Sequence, residues 1–181
     1  MKILDRLHTE TKIVVAKPKV LKIGNSVTVQ KLWENHLANH ESVTSRVFEG
    51  LQKVTINCSG CKNNFIKHEI FSVLSLILGE KETELEKILT RNYQPEAFVN
   101  DSMLECQTCK SKQKATKLTR IVHVPEVLVM TLKRFQYDPK ICNFVKIDRE
   151  ISYKTQGFGL PMQVSEGAVS LELFAVIVSI I

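Results

Sequence analysis

No apolar run in this chain reaches the ~18–20 residues that cross a bilayer. The terminal SLELFAVIVSII at 170–181 is too short and carries Glu172. A secretory leader is missing as well, because Asp5 and Arg6 break the apolar pattern of MKILDRLHTE. Only seven Gly and five Pro occur, which excludes a collagenous or low-complexity chain. No repeat of fixed period is present. One Trp and three Tyr leave little material for stacking on nucleobases. With neither leader nor span, cytoplasm or nucleus is the expected location, and no membrane partner is expected.

What remains is a globular composition, 44% hydrophobic and 24% charged over 181 residues. That length suits one domain burying about 70% of its unfolded surface. The net charge is +6, with lysines spread along the chain. Charge alone therefore does not choose between nucleic acid, an acidic protein surface and plain solubility.

Cysteine usage is more specific. Four of the five cysteines form two C-x-x-C pairs, Cys58 with Cys61 and Cys106 with Cys109. Each pair can sit on a tight turn that aims two sulfurs at one point, and Zn²⁺ accepts four thiolates in a tetrahedron. The 44 residues between the pairs exceed the spacing of a compact zinc ribbon, so a folded segment must lie between the knuckles. Paired disulfides and a redox dithiol are the competing readings. The first needs an oxidising compartment, and the second would use one pair. Lys62, Lys110, Lys112 and Lys114 flank the pairs, as suits a zinc centre of formal charge −2 or simply a solvated basic face.

Pattern along the chain gives four segments. Residues 1–10 read as the end of a helix, with Ile3, Leu4 and Leu7 on one face; with no cap ahead of it, that helix looks cut rather than begun. Residues 11–46 read as a polar insertion or linker around Pro18, with a short helix near Trp33–Leu37. Residues 47–124 hold the knuckles, with strands at 47–57, 65–78 and 115–124. For the apolar run 65–78, helix is the competitor. Thr83 and Glu86 have capping-box spacing ahead of a helix at 84–92. Residues 125–181 hold strands at 127–135 and 169–181.

In this order the segments resemble the ubiquitin-specific protease family of deubiquitinases. DRLHTE at 5–10 is similar to the end of a family thumb helix, and VFEG at 47–50 to the entry of its fingers. Glu69, Phe71, Leu74 and Leu76 match a family strand, while Leu85, Leu89 and Glu96 fit the stretch between knuckles. PEVLVMTLKRF at 125–135 and LELFAVIV at 171–178 resemble two palm strands. The resemblance implies an α+β fold: zinc-ribbon-like antiparallel fingers at 47–124 with an inserted helix, and part of a palm sheet at 125–181 of a papain-like right hand. It implies structural Zn²⁺ on Cys58, Cys61, Cys106 and Cys109, and ubiquitin or ubiquitinated proteins as partners. It also implies a family reaction in which a cysteine, activated by histidine, attacks the bond after ubiquitin's terminal glycine.

The chain departs from that family in its chemistry. The Asn-x-Gly-x-Thr-Cys nucleophile box is missing, GNSV at 24–27 carries no cysteine, and no Gly-His pair exists. No catalytic residue is expected, and the chain is expected to be an inactive, truncated catalytic domain. A non-catalytic ubiquitin-binding scaffold is the alternative, and a zinc-ribbon nucleic-acid binder is disfavoured by the sparse aromatics. Cys142 reads as a semi-buried structural thiol, since reactivity needs a base partner. His68 is a stray ligand at most, His8 and His123 read as surface or core residues, and His36 and His40 as solvated. Trp33 reads as a packing residue.

Overall fold

The computed structural model describes residues 2–12, 28–160 and 170–177. The polar stretch around Pro18, the GNSV segment and the last residues of the 169–181 strand candidate lie outside them. In chain order the elements are α1 (Lys2–Thr11), α2 (Val29–His40), α3 (Val43–Val47), β1 (Gly50–Cys58), β2 (Asn64–Phe71), β3 (Leu74–Ile77), α4 (Leu85–Asn92), β4 (Glu96–Phe98), β5 (Leu104–Cys106), β6 (Ser111–Gln113), β7 (Ala115–His123), β8 (Met130–Lys133), β9 (Phe135–Asp138), β10 (Asn143–Lys146), β11 (Phe158–Gly159) and β12 (Ser170–Leu171). The fold is mixed α+β with antiparallel sheets. Its elements fall into two compact units. One holds the chain up to Leu74 together with Pro95–Met130, and the other holds Ser75–Gln94 with the chain from Thr131 onward.

The first unit is built on a four-stranded sheet in the order β2-β1-β7-β4. β1 pairs antiparallel with β2 from Gly50↔Phe71 to Asn57↔Asn64. It pairs antiparallel with β7 from Leu51↔His123 to Cys58↔Ala115, with a register shift at Leu51/Gln52. The ladder settles the ambiguity of residues 65–78. They form two strands, β2 and β3, and no helix. β2 is the second arm of a hairpin with β1 that turns at the first knuckle, and it lies at the edge of the sheet. Leu51, Val54, Phe71 and Ile121 are buried along this sheet.

Among the described residues of the stretch read from sequence as insertion or linker, two helices follow Thr28. α2 runs 12 residues, well beyond Trp33–Leu37, and starts at Thr28, whose side chain accepts from the Lys31 N–H. α3 is closed by a capping box between Ser42 and Ser45, both buried. Such reciprocal capping satisfies orphan donors of the first turn. α1 is tied to α3 by Thr11, whose hydroxyl accepts from the Val43 N–H at 3.2 Å.

In the second unit, α4 buries Ile88 and Leu89 completely, alongside Leu76, Leu78, Phe158 and Leu160. Contacts group α4 here, although its place in the sequence lies between the knuckles. The expected capping box does not form. Glu84 occupies the cap without a side-chain bond, and the Thr83 carbonyl instead accepts from the Ser152 N–H at 2.7 Å.

The strand expected at 127–135 is shorter and split, into β8 and β9 on either side of Arg134. The Arg134 guanidinium donates to the carbonyls of Ile147 and Arg149 at 2.9 and 2.8 Å. Its motif arginine therefore holds backbone. Arg149 in turn donates to the carbonyls of Gly79 and Glu80. Among the described residues, the strand expected at 169–181 reduces to β12, paired with β11. Residues 172–177 have no regular structure, and Ile177 is 98% exposed. Apolar content alone does not make a strand when no ladder partner is at hand.

Candidate metal centre

Both knuckles have the same backbone design. After Cys58 closes β1, the chain turns through Ser59, Gly60 and Cys61, and the Lys62 N–H donates to the Cys58 carbonyl at 2.9 Å. After Cys106 closes β5, it turns through Gln107, Thr108 and Cys109, and the Lys110 N–H donates to the Cys106 carbonyl at 2.8 Å. Lys62 and Lys110 both adopt left-handed backbone, with φ of 61° and 55°. That bend curls each turn back so that its two sulfurs face the other knuckle. Gly60 permits the close approach: a Cβ there would lie 2.7 Å from the Gln113 Oε1 and 3.3 Å from the Cys109 sulfur.

The four Sγ atoms of Cys58, Cys61, Cys106 and Cys109 lie within 4.8 Å of one another. The sulfurs of Cys58 and Cys109 are 3.9 Å apart, and those of Cys61 and Cys106 are 3.7 Å apart. These are not disulfides, whose sulfurs lie ~2.05 Å apart; all five cysteines are free. A tetrahedron of sulfurs at ~2.3 Å from Zn²⁺ has edges of ~3.8 Å. The observed separations fit that figure, so the four thiols could hold a metal ion with little movement. Cys58 and Cys106 are buried, while Cys61 and Cys109 are partly open.

Two of the four thiols are shifted in opposite directions. The Cys106 thiol is drawn down to about 6, chiefly by the backbone N–H of Cys109, 3.4 Å from its sulfur. Burial, and then the sulfurs of Cys106, Cys61 and Cys58, push the Cys109 thiol up to about 12. Cys106 is favoured as thiolate, and Cys109 then keeps its proton. A dication removes this conflict by displacing the protons. Lys62, Lys110, Lys112 and Lys114 are all exposed around the rim.

Other sequence candidates stand apart. His68 lies mid-strand in β2 opposite Lys53 and is not among the clustered ligands. Cys142, read as semi-buried, is instead exposed, and it donates to the Pro139 carbonyl at 3.5 Å. His36, read as solvated, is instead bonded to Glu49 at 2.6 Å, with 16% of its side chain exposed. Nothing in the local sequence signals that pairing, because Glu49 lies in the turn after α3.

The family model for ubiquitin carboxyl-terminal hydrolase matches residues 1–178. The chain belongs to the ubiquitin carboxyl-terminal hydrolase family. It is 30% identical to Usp2 of Drosophila melanogaster over 164 residues, which is 85% of this chain and 17% of that protein. It is 28% identical to ubiquitin carboxyl-terminal hydrolase 46 of Caenorhabditis elegans, covering 66% of this chain and 28% of the relative. Among solved structures it resembles the SAGA Ubp8/Sgf11/Sus1/Sgf73 deubiquitinating module bound to ubiquitin aldehyde. There the TM-score is 0.56 at 31% identity, over 66% of this chain and 26% of that one. A yeast structure of the same module with an Sgf73 variant gives a TM-score of 0.58 at 29% identity, over 74% and 30%. The chain thus spans less than a third of each of these proteins. Among the described residues, no helix is long and apolar enough to cross a membrane.

Proposed function

We propose that this chain is the zinc-stapled fingers and partial palm of a ubiquitin-specific protease, that it engages ubiquitin, and that it does not itself cleave. The observation that carries the reading is the convergence of four sulfurs from two knuckles, in a chain matched to the family over residues 1–178. Cys58, Cys61, Cys106 and Cys109 hold the metal. All four positions are filled by protein thiolates, leaving none for water or substrate, so the ion is structural. In this reading residues 1–10 are the end of a thumb helix, 11–46 an insertion, 47–124 fingers and 125–181 palm.

The family reaction needs a thiolate nucleophile and an imidazole base. The 181 residues contain no Asn-x-Gly-x-Thr-Cys sequence and no Gly-His pair. Cys142 has a carbonyl for its neighbour instead of an imidazole. Activation of a thiol near its ordinary pKa of ~8.5 requires such a base, so turnover is not expected from these residues.

Ubiquitin binding is supported by the similar yeast module, whose structures hold ubiquitin aldehyde and monoubiquitin. A partial grip predicts a weak complex, with a dissociation constant of roughly 0.1–1 mM. Titrating the chain into isotope-labelled ubiquitin, followed by NMR, tests it. Saturable shifts in that range support the proposal, and no shifts at millimolar protein contradict it. A ubiquitin-tail electrophile should leave every cysteine unlabelled, and labelling of Cys142 would reverse the claim of inactivity.

A further inference from the structure

Three aromatic rings stand on one face of the β9–β10 hairpin in the second unit. Alternation along β9 puts Phe135 and Tyr137 on the same side. The register sets Phe144 of β10 directly opposite Tyr137. Those two rings meet edge to face, with centroids 5.7 Å apart. The other side of the hairpin carries Gln136, whose amide donates to the Leu78 carbonyl at 3.4 Å. Leu78 is buried, so that side is turned to the body of the unit and the rings are turned away from it. Phe135, Tyr137 and Phe144 are 57%, 54% and 66% exposed.

At roughly 250 Å² for a whole aromatic side chain, these exposures leave roughly 450 Å² of ring in water. Single apolar patches of that order on a protein surface are often functional. Facing its own image across a two-fold axis, the patch removes roughly 900 Å² from water by its rings alone. Ile141 at the hairpin tip is 60% exposed, and Lys146 stands opposite Phe135 on the ring side. Together they extend the buried area toward the ~1,200 Å² at which specific interfaces begin. Docking also costs these rings little freedom, because Tyr137 and Phe144 already hold each other.

Charge selects the occupant. The whole chain carries +6. At the hairpin, however, Asp138 and Asp148 balance Lys140 and Lys146, and the Lys146 ammonium lies 3.5 Å from the Asp148 carboxylate. That balance gives a nucleic acid or an anionic membrane no basic rim to hold. A neutral apolar face meets an identical one without repulsion, which is what an isologous contact requires.

We propose that the β9–β10 hairpin is a homodimer interface, on which two copies of this chain stack their Phe135, Tyr137 and Phe144 faces about a two-fold axis. The area is at the lower limit for a specific contact, so the dissociation constant is roughly 10–100 µM. Nothing in this contact requires ubiquitin.

Sedimentation of the zinc-loaded 181-residue chain from about 5 to 500 µM tests it. The expected result is a monomer–dimer equilibrium that stops at the dimer. Amide exchange at the two ends of that range should gain protection in β9 and β10. Phe144→Glu buries a carboxylate in the contact and should weaken the dimer about tenfold or more. Ile66→Glu is the control: Ile66 is 54% exposed on β2, outside the hairpin, and its replacement should leave the equilibrium unchanged. A chain that stays monomeric throughout overturns the proposal; a loss of ubiquitin shifts in Phe144→Glu would then assign the face to ubiquitin. Growth past the dimer without a plateau, or equal weakening by Ile66→Glu, also overturns it, since either is unspecific adhesion. Should a variant not fold, sedimentation and exchange of the unaltered chain decide the matter.

Discussion

Lys62 and Lys110 occupy equivalent positions in the two knuckles. Each follows the second cysteine of its pair, has φ near +60°, and donates its backbone N–H to the carbonyl of the first cysteine. Neither is glycine, although the conformation favours one. A side chain in this region costs roughly 1–2 kcal/mol, and a β-branched residue tolerates it least.

Lys110→Val should therefore weaken metal retention by about tenfold, as ~1.4 kcal/mol of added strain implies. Lys110→Gly should bind as well as the unaltered chain or better. Competition with a colorimetric chelator ranks the three. Equal affinity for the Val and Gly forms would show that the lysine backbone does not set the turn.

Gly50 opens β1 opposite Phe71. A Cβ there would fall 2.5 Å from the Phe71 ring and 2.8 Å from the His123 carbonyl oxygen. The carbonyl belongs to a paired strand and cannot swing away. Gly50→Ala is expected to destabilise the first unit by about 1–3 kcal/mol through overpacking. Chemical denaturation followed by Trp33 emission measures it, and a shift below 0.5 kcal/mol would contradict the packing described.

In the second unit Arg134 serves two carbonyls, those of Ile147 and Arg149. Removing it leaves both acceptors without this donor, at about 1–3 kcal/mol for each one shut off from water. Arg134→Lys should recover only part of that loss, because a single ammonium does not reproduce the guanidinium fork. Thermal melts of the Ala, Lys and unaltered forms give the order. Full rescue by lysine would mean that charge alone matters there.

The knuckles were legible because their determinant is local. Four residue types at fixed spacing announce a tetrahedral thiolate site, and the sulfurs do converge. The strand at 115–124 and the helix at 84–92 were legible for the same reason, through short-range periodicity. Elements whose existence depends on a distant partner were not. LELFAVIV reads as strand, yet among its described residues only Leu171 joins a ladder, with Phe158, and Leu173 adds a single backbone bond to Thr155. Thr83 and Glu86 have the right spacing for a cap, but Ser152 takes the Thr83 carbonyl instead. His36 was read as solvated because nothing in NHLANH points to Glu49, 13 residues on and past another helix.

Tyr93, at the end of α4, is pushed up to about 12 by burial. Its raised pKa means that unfolding releases a proton once the pH exceeds the ordinary ~10. Stability is thus fully present below pH 10 and falls between about 10 and 12. Tyr93→Phe should flatten that decline in denaturation midpoints measured across the window. An unchanged slope would show that Tyr93 is not the group responsible.

Metal ligation by Cys58, Cys61, Cys106 and Cys109 carries the account, and apparent zinc-site energies of ~10–16 kcal/mol match or exceed the stability of a whole domain. Elemental analysis of the purified chain, before and after a strong chelator, tests it most directly. One zinc per chain, lost on chelation together with the β1–β2–β7 amide protection nearest the knuckles, is the predicted result. A chain that carries no zinc, or keeps that protection after the metal is stripped, would contradict it.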